Sequence, residues 1–127
     1  MRNLFIIIML FCVFITGCGN NTEKFDVQAI SVSEVKTIID NMKDNSNTVI
    51  IDVRTMEEYD IKHIDKAINI PLAEIDSINI DKNKKIIVYC QSGNRSRQAA
   101  DRLIELGYMN VFDMGGINLW IYDFVSG

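Results

Sequence analysis

The sequence predicts an α/β domain with a central, mainly parallel five-stranded sheet and helices on both faces. Short β-branched runs alternate along the chain with segments of helical period. Two of those runs, Val49-Ile50-Ile51 and Ile86-Ile87-Val88, are apolar at every position, the pattern of strands covered on both sides. Helix-start signals stand between the runs, so strands and helices follow one another as crossover units.

Taken in order, the strands are expected at Val27 to Ile30, Thr48 to Val53, Ala67 to Ile70, Lys85 to Cys90 and Asn110 to Met114. The first helix follows Ser31-x-x-Glu34, a capping box, with Val32, Val35, Ile38, Ile39 and Met42 on one face. Thr55-x-x-Glu58 repeats the signal ahead of a short helix. Pro71 opens a segment from Leu72 to Ile78, and Ala99, Ala100, Leu103, Ile104 and Leu106 form a stripe that ends at Gly107. A last helical stretch carries Trp120, Tyr122 and Phe124, read as packing residues.

With 127 residues, 48% hydrophobic and 24% charged, the chain fits one domain and excludes a two-domain enzyme. A net charge of −4 disfavours nucleic acid as a partner. The first residues do not belong to the fold. Arg2 precedes an uncharged apolar run, Leu4 to Ile15, too short to span a bilayer and patterned as a signal peptide. Ile15-Thr16-Gly17-Cys18 resembles a bacterial lipobox, which implies a leader over residues 1–17 and a diacylated Cys18. Residues 18–25 then read as a polar tether and 26–127 as the domain, held on the extracytoplasmic face of the cell membrane.

Three cysteines reduce to one. Cys12 leaves with the leader and Cys18 is blocked, so Cys90 is a lone thiol with no disulfide partner. It ends a buried strand and precedes Gln91-Ser92-Gly93-Asn94-Arg95-Ser96-Arg97, a loop that runs into an amphipathic helix. A thiol in that position faces unpaired backbone N–H groups and the positive end of a helix, which together stabilise a thiolate. Gly93 lets the loop curl, and Arg95 and Arg97 are expected to add positive charge.

From Val27 to Val125 the chain resembles the single-domain rhodaneses, the thiosulfate sulfurtransferase family. The resemblance lies in Asp52-Val53-Arg54 with Glu58-Tyr59, His63-Ile64 with Ala67-x-Asn69-Ile70-Pro71, the Cys90-to-Arg95 loop, and Gly115-Gly116 ahead of Trp120. It implies a nucleophilic Cys90 that takes a sulfane sulfur from a small anionic or persulfide donor, carries it as a persulfide, and yields it to a thiol or cyanide acceptor. Gln91, Ser92, Gly93, Asn94, Arg95 and Ser96 would bind the donor, and the monomeric protein would need neither metal nor organic cofactor. Phosphatases that share this fold separate Cys from Arg by five residues. Here four intervene, which points to sulfur rather than phosphate. A rhodanese-fold module that binds a partner or senses oxidants is the alternative reading.

Other residues carry plainer expectations. His63, the only histidine, is placed in a structural turn, and Arg54 is expected to pair with Glu58 one helical turn away. Met114 to Gly116 reads as a tight turn passing near the Cys90 loop, and Lys82 to Lys85 as a solvated loop. Lys62 and Lys66 stand where many relatives have glycine, so a positive φ at either would strain the chain.

Overall fold

The computed structural model of the protein describes residues 24–127; the leader over residues 1–17 and Cys18 lie outside them. Five strands form one sheet: β1 (Gln28–Ala29), β2 (Thr48–Asp52), β3 (Ala67–Asn69), β4 (Lys85–Cys90) and β5 (Val111–Gly116). Their order is β1-β5-β4-β2-β3, and every pairing is parallel. All five strands therefore point their carboxyl ends at one edge, where β4 ends in Cys90.

Two capping boxes start two of the helices as the sequence predicts. The Ser31 hydroxyl accepts the Glu34 amide at 3.1 Å while the Ser31 amide donates to the Glu34 carboxylate at 3.0 Å, opening α1 (Val32–Asp40). Thr55 and Glu58 repeat the exchange for α2 (Met56–Ile61). The segment after Pro71 forms a 3-10 helix, Leu72–Ser77, and α3 (Asn94–Glu105) follows β4. Between the sheet and α1 lie Val35, Ile39, Ile50, Ile87, Tyr89 and Trp120. On the opposite side Ile51, Val53, Ile86, Val88, Ala99, Leu103 and Val111 pack between the sheet and α3. Helices thus cover both faces, which is why β2 and β4 have no polar position between Val49 and Ile51 or between Ile86 and Val88.

Several local readings need correction. Beyond Gly116 only Ile117–Leu119 is helical, as one 3-10 turn. The rest of the tail is extended, and Val125 bridges His63 with mutual backbone bonds of 2.8 and 3.0 Å. Trp120 is buried there and its Nε1 donates to the Asp123 carbonyl, whereas Phe124 is exposed. β5 runs on through Gly115 and Gly116 because a bulge sets Asp113 opposite Val88 but Gly115 opposite Tyr89. Lys66 has φ 68°, while Lys62 is extended at −164° and unstrained. Lys82 and Lys85 do not hang free: their ammonium groups lie over the rings of Tyr108 and Phe112, and Lys82 donates to the Leu106 carbonyl.

The expected Arg54–Glu58 pair does not form. Arg54 turns back onto Asp52 instead, with Nη2 2.6 Å from Oδ2 and Nε 3.0 Å from Oδ1. Both residues are buried, and the same guanidinium donates to the Lys62 carbonyl at 2.7 Å. Asn69 closes the knot by donating to the carbonyls of Asp52 and Arg54. Replacing Arg54 with Leu would strand a buried carboxylate, so Arg54→Leu is expected to cost about 3 kcal/mol or more. Urea denaturation monitored by circular dichroism measures that loss directly.

Candidate active site

Cys90 occupies the last position of β4, and the chain turns sharply behind it. Gly93 makes the turn possible at φ 104°, a left-handed conformation that a side chain would strain, and α3 starts at Asn94. This turn directs the Gly93 amide at the sulfur, 3.0 Å from N to Sγ. Ser92 and Ser96, on the same turn, lie near enough to favour the charged form of the sulfur as well. Burial pushes the Cys90 thiol up, but these groups together outweigh it and the net direction is down, toward thiolate. Ser96 is itself fully buried, and its hydroxyl donates to the Gly93 carbonyl at 3.2 Å, so it holds the turn that aims the Gly93 amide.

β5 supplies the wall behind the loop. A Cβ on Gly116 would stand 2.7 Å from the Gln91 carbonyl oxygen and 2.9 Å from the Ser92 Cα, both backbone atoms. Only glycine lets the strand approach so closely. Asn118, two residues on, donates its amide to the same Gln91 carbonyl at 3.4 Å. The close pass expected of the paired glycines is thus a direct contact. Gly115, at φ 89°, donates its amide to the Asp113 carboxylate at 2.8 Å and turns the bulge toward the loop.

The charges around the site are arranged differently from the sequence expectation. Arg95 gives bonds of 2.7 and 3.0 Å to the two carboxylate oxygens of Glu58, and Arg97 lies 3.4 Å from Asp101 on the exposed side of α3. Neither arginine offers the sulfur an unbalanced charge. The Arg95 guanidinium holds the Glu58 carboxyl down at about 2. Sequence reading missed this bond because the partners are far apart in the chain. The signal was the position of Glu58 at the third residue of a helix that starts on the same sheet edge.

Gln91, Ser92 and Asn94 are exposed on the rim, while Cys90 itself is only 1% exposed. The thiol is recessed beneath the loop. His63 takes no part in the site: its ring stacks on Tyr59 at 3.6 Å and its Nδ1 meets the Tyr59 carbonyl, as a structural turn requires. Among the described residues no cluster of metal-ligating side chains occurs.

A recessed cysteine in a glycine-turned amide loop on a parallel sheet edge has counterparts in known proteins. The family model for the rhodanese-like domain matches residues 34–123. The chain belongs to the rhodanese-like family. Thiosulfate sulfurtransferase PspE of Escherichia coli is 44% identical over 71 residues, which covers 53% of this chain and 68% of that one. A tRNA uridine(34) hydroxylase of Buchnera aphidicola is 35% identical over 94 residues, 67% of this chain. The rhodanese-like chain spans only 30% of that hydroxylase. Among solved structures, a rhodanese-like domain protein of Staphylococcus aureus has a TM-score of 0.69 at 29% identity, over 80% of this chain and 99% of that one. Sulfur transfer is the activity for which relatives such as PspE are named.

The lowered thiol makes a pH test direct. Because the folded group ionises more readily than a free cysteine, the thiolate persists as pH falls below the ordinary thiol range. The rate of Cys90 alkylation by iodoacetamide should have its pH midpoint below that of free cysteine, and Ser96→Ala should move the midpoint upward.

Proposed function

We propose that the protein is a sulfurtransferase that carries sulfane sulfur on Cys90, as a lipid-anchored domain outside the cytoplasm. The observation that carries the reading is the Gly93 amide aimed at one recessed sulfur, 3.0 Å away, in a turn that favours the thiolate. In the first step the Cys90 thiolate forms a bond to the outer sulfur of a donor such as thiosulfate. The donor's S–S bond breaks and sulfite leaves with the electron pair. The transferred sulfur becomes the terminal, negatively charged atom of a persulfide, where the preorganised amides offset its charge. An acceptor thiolate, or cyanide, then attacks that terminal sulfur and restores the Cys90 thiolate. No general base is needed, since no proton moves in either half-reaction.

Recession of the thiol suits this chemistry. A donor presents a single terminal sulfur end-on, the smallest group that a recessed thiolate has to meet. The four-residue spacing between Cys90 and Arg95 supports sulfur over phosphate. Incubating the purified domain with thiosulfate should add about 32 Da to the Cys90 peptide, and cyanide should remove it as thiocyanate. Cys90→Ser should abolish both signals. A binding or redox-sensing module would instead show oxidised Cys90 without a sulfane adduct, and that result sinks the proposal.

The anchor rests on the Ile15-Thr16-Gly17-Cys18 sequence. Cells expressing the full chain should incorporate labelled palmitate into it, and Cys18→Ala should abolish the label and release the protein from the membrane fraction.

A further inference from the structure

Donor charge is the property that the edge around Cys90 controls. Each of the three arginines that the sequence places there is paired with a carboxylate: Arg54 with Asp52, Arg95 with Glu58 and Arg97 with Asp101. Arg95 is the one closest in the chain to the sulfur cradle, at the start of α3, and it is held by both of its terminal nitrogens. Its Nη1 and Nη2 both donate to Glu58, and neither donates to Cys90. Glu58 is in turn fixed by its own helix, because it is the third residue of α2 and reciprocates the cap from Thr55. The anion at Cys90 therefore meets a backbone dipole from Gly93, while the arginines of this edge, among the described residues, are each balanced by a carboxylate.

From this arrangement we propose that Glu58 is a positioning residue that sets the charge class of the sulfur donor. By pairing with Arg95 it neutralises the guanidinium that follows the cradle. The site then favours donors with one negative charge at the transferable sulfur, persulfides of the type RSS−, over the thiosulfate dianion. A dianion gains twice as much as a monoanion from a nearby cation, and so loses twice as much when that cation is neutralised. The inference rests on the sulfur-transfer reading above.

Two donors with the same reacting S–S bond test it. Thiosulfate carries two charges and leaves sulfite; benzenethiosulfonate carries one and leaves a sulfinate. In both, the Cys90 thiolate bonds to the outer sulfur as the leaving group departs with the electron pair. Steady-state KM values for each donor are compared in the wild-type domain and in Glu58→Gln, whose amide retains the helix cap. The expected result is a fall in the thiosulfate KM of about fivefold or more, with the thiosulfonate KM changing by less than about twofold. The gain should shrink at high ionic strength. It should also vanish in the double variant Glu58→Gln/Arg95→Met, since it needs the released guanidinium.

Glu57→Gln removes the same charge one residue away without freeing Arg95, and should leave the donor ratio near wild type. Equal shifts for both donors overturn the inference, as does a gain that survives removal of Arg95 or appears equally in Glu57→Gln. In each of those cases the sulfurtransferase reading stands. Absence of transfer from either donor by the wild-type domain fails that reading instead, and this inference with it.

Discussion

A negative sulfur inside an aliphatic layer can exist only where the backbone turns its N–H groups upon it. Cys90 packs among Ile51, Val53, Val88 and Ala99, surroundings that on their own would keep a thiol protonated and inert. The loop after β4 reverses that outcome, and everything distinctive in the domain serves the reversal. Gly93 bends the chain so that its amide reaches the sulfur. Gly116 lets β5 close against the back of the loop so that the amides stay aimed. The bulge at Met114 brings Gly116 into register with Cys90. Without this fit of strand to loop, the same residues would make only another buried cysteine.

Glu58 joins two parts of that arrangement. It closes the N-terminus of α2 and holds the arginine that follows the loop, so the helix and the cradle share a fixed point. Its carboxyl, held at about 2, stays ionised across the whole range in which the thiolate is useful. Linkage follows with a definite sign: a carboxyl lowered in the fold adds stability above its unfolded value, and the contribution fades as pH falls toward 2. Asp52 and Arg54 form a second fixed point, where a buried pair with both carboxylate oxygens bonded locks the end of β2.

Most of the architecture was legible in the sequence because local rules decide it. β4 was readable to the residue, since its apolar run is bounded by a lysine and by the loop, and both capping boxes formed as their spacing requires. The Cys90 loop was legible as well, because strand end, glycine and helix start are consecutive in the chain. What escaped reading depends on partners distant in sequence. Arg54 lies four residues from Glu58, yet Asp52 wins it, since the buried carboxylate has no other cation and Arg95 arrives from α3 to take Glu58. The tail after Gly116 holds aromatic residues at suggestive spacing but no side-chain cap, and it is tied down instead by the bridge between Val125 and His63. The burial of Cys90 was equally hidden, because how deep a strand end sits depends on what closes over it.

The recessed position of Cys90 also governs how two copies of the domain can meet. Joining two proteins through a cystine requires their Cα atoms to approach within about 4.4–6.8 Å. A sulfur under Gln91 and Ser92 in a residue only 1% exposed cannot be brought that close to a second backbone while the loop keeps its shape. Two copies of the domain are thereby kept from covalent dimerisation, even though the loop favours the thiolate.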